Sequence, residues 1–248
     1  MKKYIDVSTY QGVIDWAKVK AAGIDGAMIR AGYGKNNIDN QFERNISECN
    51  RLGIPCGVYW FSYAYTEEMA KREAEYCLDA VAGYKLELPI CFDFEYDSVK
   101  YAAKQGVTVN KTLATALVHA FCKTAEAAGY YVMNYANLDY LRNYFDDTVK
   151  QYDLWHAWYS NAAKPTVSCG IWQYSSKGTV AGITGSVDMN IAYKDYASII
   201  SRAGLNNPKV SALEKAVKKG VLTEADGDKA ITGKRLADVL DKLGLLDQ

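Results

Sequence analysis

The stretch Ile90-Cys91-Phe92-Asp93-Phe94-Glu95 is an apolar run that closes on two acids two residues apart. A short apolar run of this kind reads as a buried strand. Residues two apart on a strand share a face, so Asp93 and Glu95 project together. Runs of the same type recur at 4–7, 27–31, 56–63, 131–135, 154–158, 170–174 and 187–191, making eight strands with 89–94. Between the early ones lie helical patterns. Residues 41–52 place Phe42, Ile46 and Cys49 on one face and stop at Gly53; 67–81 follow Thr66 as N-cap; 111–128 follow Asn110 and stop at Gly129. Strand–helix alternation with near-continuous apolar strands predicts parallel pairing with both faces covered, and eight such strands predict a closed barrel. The last three strands are too close together for full helices between them. The predicted fold is therefore α/β: an irregular (β/α)8-type barrel, with helices mainly over the first five strands.

The same geometry points to a site. In such barrels chemistry gathers at the carboxyl ends of the strands, where Asp93 and Glu95 fall. Two neighbouring carboxylates repel, so one keeps its proton to higher pH, as a general acid requires. Glycoside hydrolysis uses that combination: one protonated acid for the leaving oxygen and one ionised partner. Asp6 ends the first strand and Asp188 belongs to the eighth, which barrel closure makes neighbours.

These residues carry a resemblance. Asp6-Val7-Ser8-Thr9-Tyr10-Gln11-Gly12 with Ile14-Asp15-Trp16, then Phe92-Asp93-Phe94-Glu95, Trp172-Gln173-Tyr174-Ser175-Ser176 and Val187-Asp188-Met189-Asn190 resemble glycoside hydrolase family 25, in the expected order. The resemblance runs from Tyr4 to about Tyr196. It implies a lysozyme (N-acetylmuramidase) activity on the β-1,4 bond between N-acetylmuramic acid and N-acetylglucosamine of peptidoglycan, with no metal or organic cofactor. It implies Glu95 as general acid/base, Asp93 as the carboxylate beside it, and Asp6 and Asp188 as the acids completing the site. Tyr33, Tyr63 and Tyr135 fall near strand ends where the family's aromatic subsites lie. Gln173 reads equally as a substrate contact or as a buried amide holding a loop. Trp60 departs from the pattern, where a smaller polar residue or histidine is expected, unless it faces the helix layer. Two mechanisms stay open: attack by the substrate's own acetamido group, assisted by Asp93 with net retention and preferred here, or a carboxylate acting directly. A non-catalytic carbohydrate-binding barrel and a chitinase-like hydrolase are the competing readings.

The bulk composition narrows the partners. Lysines plus arginines equal aspartates plus glutamates at 29 each, which argues against nucleic acid. Twenty tyrosines and five tryptophans exceed what a core of this size needs, and such rings suit sugar faces. Six cysteines in no CxxC pair and two histidines argue against a zinc site and for free thiols. No apolar run is long enough to span a bilayer. Met1-Lys2-Lys3 runs straight into a strand, so no signal peptide is visible. Cytoplasmic synthesis and later release to the cell wall, as in endolysins, are expected by analogy. The domain reading is a barrel over 1–196, a linker over 197–209 and a small helical module over 210–248 that binds wall polymer or self-associates. Part of that module is faintly similar to a surface-layer-homology repeat, and its Asp226-Gly227-Asp228 reads as a turn rather than a calcium loop.

Overall fold

The computed structural model describes residues 1–206. The expected module at 210–248 lies outside the described residues. The barrel strands are β1 (Lys2–Val7), β2 (Gly26–Tyr33), β4 (Cys56–Phe61), β5 (Ile90–Asp93), β6 (Val132–Asn137), β7 (Asp153–Ala157), β8 (Ile171–Gly178) and β9 (Val187–Ala192), with a two-residue strand β3 (Asn37–Ile38) along the edge of β2. The sheet runs β1-β9-β8-β7-β6-β5-β4-β2-β3, and a β1–β2 pairing closes it into an eight-stranded barrel.

Every barrel strand expected from the sequence is present, but their directions are not all as expected. Seven are parallel; β9 runs antiparallel to both β8 and β1. A parallel crossover needs a dozen or more residues, whereas Gly178 and Val187 are separated by a short glycine-containing loop that can only fold back. Near-continuous apolar character reports burial on both faces, not direction.

Strand alternation splits the core in two. Tyr4, Met28, Cys91, Met133, Tyr135, Trp155 and Ile171 fill the barrel interior. Ile5, Val7, Ile29, Val58, Trp60, Ile90, Phe92 and Val132 face outward into the helix layer. That layer holds α1 (Trp16–Ala21), α2 (Phe42–Leu52), α3 (Glu67–Val81), α4 (Tyr96–Lys104) and α5 (Lys111–Ala127). Caps set their ends. Thr66 accepts the Met69 amide at 3.2 Å, Asn110 accepts that of Leu113 at 2.9 Å, and Gly53 ends α2 in the left-handed region. Of the connections between barrel strands, only those after the first four strands carry α-helices. The fifth, β6, is followed by a π turn (Tyr140–Tyr144) and a 3-10 turn (Asp147–Gln151). All six cysteines are free thiols, five of them buried.

One boundary is corrected. Residues 197–206, expected as the start of a linker, belong to the barrel. They form α6 (Tyr196–Ala203) and a packed turn after it. Tyr196 and Ile200 pack into the interior cluster with Tyr4, Leu88 and Ala192. Asn206 is buried, donating to the Leu88 carbonyl at 2.8 Å and accepting the Tyr131 amide at 2.7 Å. Tyr196, Ile200 and the partly buried Leu205 thus cover one end of the interior cluster. Among the described residues, no helix is long and apolar enough to cross a membrane.

Candidate active site

Asp93 is the last residue of β5, and Glu95 is the N-cap of α4, its own amide held by Ser98 Oγ at 3.0 Å. Helix α4 was not expected from the sequence. It begins one residue after Glu95 and fixes the backbone that carries that side chain. Asp6 on β1 lies directly opposite Asp188 on β9. Opposed residues of an antiparallel pair share a face, so two like charges meet across the barrel mouth, normally a destabilising arrangement. All four acids line one cleft of about 240 Å³ together with Arg30, Tyr59, Phe61, Tyr135, Trp155, Tyr159 and Gln173.

Asp6 is held by two amides. Its Oδ2 accepts Gln173 Nε2 at 2.9 Å and Asn190 Nδ2 at 2.8 Å. Donor-only chemistry sets the orientation of the second amide: Trp155 Nε1 donates to Asn190 Oδ1 at 2.8 Å, which leaves the amide nitrogen for Asp6. Gln173 Oε1 likewise accepts the hydroxyls of Tyr135 at 2.8 Å and Tyr159 at 3.1 Å. Both polar ends of Gln173 are thus engaged within the protein, its oxygen by two hydroxyls and its nitrogen by Asp6. The Tyr135 hydroxyl is committed to the same network, so this residue offers the cleft its ring.

Burial raises the proton affinity of every acid here. Asp6 is pushed up to about 8 by burial and by Asp188, against the two amide bonds. Glu95 is pushed up to about 7 by burial and by the charges of Asp97 and Asp188. Burial carries Asp188 to about 6. Asp93, only 5% exposed, is raised by burial, by Glu95 and by Asp6, and it shares a hydrogen bond with Glu95. Its Oδ1 has no partner among the described residues. The repulsion expected between Asp93 and Glu95 shows as a raised proton affinity on Asp93, and the hydrogen bond between them favours the protonated form of Asp93 and lowers Glu95. Among the described residues, the one cation lining the cleft is already engaged: Arg30 binds Asp39 at 2.7 Å and sits 5.0 Å from the Tyr10 ring and 5.6 Å from that of Tyr33.

The remaining expected positions divide. Tyr33 and Tyr63 do not line the acid cleft; they wall a separate hollow beside it. Trp60 faces the helix layer, packing on Tyr76 of α3 and donating to the Gly34 carbonyl at 3.3 Å, so its neighbours Tyr59 and Phe61 are the ones at the mouth. Sequence reading missed Arg30, Tyr59, Trp155, Tyr159 and Asn190. Two of these carried a signal: Arg30 is a lone charge within an apolar strand, and Asn190 stands two residues from Asp188, hence on its face. Among the described residues, no cluster of three or more histidine, cysteine or carboxylate side chains is arranged to hold a metal ion.

A barrel with four converging carboxylates at its strand ends has the architecture of a glycoside hydrolase. The sequence profile described as "Glycosyl hydrolases family 25" matches residues 5–183. The chain is 29% identical to Lysozyme M1 of Streptomyces globisporus over 197 residues, covering 75% of this chain and 66% of that protein. It is 26% identical to the autolytic lysozyme of Clostridium acetobutylicum over 192 residues, covering 76% and 55%. Among solved structures, it is similar to the modular autolysin LytC of Streptococcus pneumoniae in complex with a synthetic peptidoglycan ligand, at TM-score 0.69 and 31% identity over 77% of this chain and 46% of that one. The chain belongs to glycosyl hydrolase family 25. It spans 66% and 55% of the lengths of the two lysozymes.

Proposed function

We propose that this protein is a peptidoglycan hydrolase, an N-acetylmuramidase that cuts the β-1,4 bond between N-acetylmuramic acid and N-acetylglucosamine. The observation that carries the reading is the buried, hydrogen-bonded Asp93–Glu95 pair at the mouth of an acid-lined barrel in a family 25 chain. Glu95 is the general acid: a carboxyl pushed up to about 7 keeps its proton into the range where most carboxylates have lost theirs.

In the first step the 2-acetamido oxygen of the muramic acid residue attacks the anomeric carbon. The glycosidic C–O bond breaks, and the Glu95 proton goes to the departing oxygen. Asp93 accepts the acetamido N–H and, once ionised, balances the oxazolinium charge; its unpartnered Oδ1 supports this role. In the second step Glu95 takes a proton from water, whose oxygen attacks the same carbon and opens the ring. Two inversions give net retention. Asp188, pushed up only to about 6, is ionised near neutral pH and adds negative potential beneath a positively charged transition state, while Asp6, at about 8, keeps its proton there.

Asp93→Asn tests the assignment, because it keeps a hydrogen-bonding group and removes the charge. We expect kcat on soluble glycan to fall by at least about a hundredfold with KM little changed, the signature of an interaction made in the transition state. Equal activity of wild type on chitin and on peptidoglycan would refute the muramidase reading. A sugar ester trapped on Asp93, Asp6 or Asp188 would refute the substrate-assisted step alone.

A further inference from the structure

Beside the acid cleft lies a second hollow of about 600 Å³, walled by Tyr33, Gly34, Tyr63 and Tyr101 and rimmed by Lys35, Lys100 and Lys104. The two share a wall. Phe61 of the cleft packs on Tyr63 of the hollow at 5.2 Å, and the Arg30 guanidinium of the cleft sits 5.6 Å from the Tyr33 ring. The rings form a connected surface: Tyr33 meets Tyr63 edge-on at 6.4 Å, and Tyr63 meets Tyr101 at 5.1 Å. Gly34 is a built part of it. Its φ is +51°, and a β-carbon there would come within 3.0 Å of the Tyr63 ring, so only glycine lets the loop lie against that ring.

The electrostatics of the two chambers are opposite. The cleft concentrates four acids, and its single arginine is engaged by Asp39. The hollow has one acid, Asp97, and Lys100 binds it at 2.9 Å. Among the described residues, neither Lys35 nor Lys104 is paired with a carboxylate. Two uncommitted cations over a tyrosine surface suit an anionic ligand that also offers flat, weakly polar groups for the rings. An unbranched neutral glycan gives them nothing to pair with.

We propose that this hollow receives the peptide stem that branches from the muramic acid lactyl group, with Lys35 and Lys104 facing the stem's free carboxylates and the tyrosines packing on its peptide planes. The inference rests on the muramidase reading and adds to it a source of substrate selectivity. A stem attached to a sugar in the cleft is anionic and is repelled by Asp188, the cleft acid that ionises first, at about 6. The adjoining basic hollow gives that charge a place to go.

The test compares three soluble glycans: one with intact stems, one with stems whose carboxylates are amidated, and one with stems removed enzymatically. Reducing-end release gives kcat and KM for wild type and for the Lys35→Gln/Lys104→Gln double variant. We expect the wild-type KM for intact stems to be about five- to tenfold below that for stripped glycan, with amidated stems between, the size of effect two exposed charge pairs support. In the double variant the ratio should shrink to within about twofold, as it should for wild type at high salt. Calorimetric binding of the same glycans to Glu95→Gln reports the ratio without turnover. A wild-type ratio near one, or a ratio that survives in the double variant, would overturn the proposal. So would a lysine effect confined to walls that carry anionic phosphate polymer, which would mark a different ligand. Failure to cleave any of the three glycans would instead overturn the muramidase reading.

Discussion

Glu73 lies on the inward face of α3, 3% exposed and without a cation beside it. Its Oε1 accepts the Tyr63 amide at 2.9 Å, its Oε2 has no partner among the described residues, and burial pushes it from 4.5 to about 7 against hydrogen bonds from Ser62 and Tyr63. It therefore clamps the loop after β4, whose Ser62 amide donates to the Asp93 carbonyl at 2.8 Å. The folded protein holds this proton more tightly than the unfolded chain does. Stability is accordingly full below pH 4.5 and is lost as pH rises toward about 7. At about 1.4 kcal/mol per tenfold change in proton affinity, the displacement amounts to roughly 3 kcal/mol, which water entry reduces toward 1. Glu73→Gln keeps an acceptor for Tyr63 and cannot ionise. Relative to wild type, it should gain about 1–3 kcal/mol between pH 5 and pH 8.5. The assay is urea unfolding of both proteins at the two pH values. The cleft acids titrate in both proteins, so their contributions cancel in the difference. A wild type–variant difference that is the same at both pH values would refute the reasoning. Glu73→Ala, which strands the Tyr63 amide, should be destabilised at both.

Glu95→Gln should fold normally and lose about two to four orders of magnitude in rate on cell walls, the span of a positioned general acid; more than a tenth of wild-type turnover would sink the assignment. In wild type, activity should fall as pH rises through about 7, because the acid must be protonated to serve the leaving oxygen. Gly57→Ala would place a β-carbon 2.4 Å from the Pro89 carbonyl oxygen, so a melting experiment should show a loss of stability of roughly 1–3 kcal/mol with the cleft residues unaltered. Truncation after Tyr196 should give a barrel that melts early or fails to fold, since it removes Ile200 and Asn206 from the lower end; an unchanged melting temperature would show that α6 is dispensable.

The features legible in the chain are those that depend on short-range periodicity. Eight apolar runs, capped helices at 67–81 and 111–128, and acids two residues apart on a strand were all legible, because burial and capping leave their pattern within a few neighbouring residues. The family motifs carried Asp6, Asp93, Glu95 and Asp188 as a set, and the fold brings those four to one cleft. The reversed direction of β9 was not legible, since a doubly buried strand looks the same whichever way it runs. Nor was the role of α6, because Asn206 takes its partners from Tyr131 and Leu88, 75 and 118 positions away, and Ile200 packs in a cluster with Tyr4 and Leu88. Gln173 shows the division most clearly. Its chemistry allows either a substrate contact or a buried clamp, and barrel closure gives it the bonds of a clamp, its oxygen to Tyr135 and Tyr159 and its nitrogen to Asp6. A side chain's identity sets how many hydrogen bonds it can make; which partners use them is a property of strands that meet only when the barrel closes.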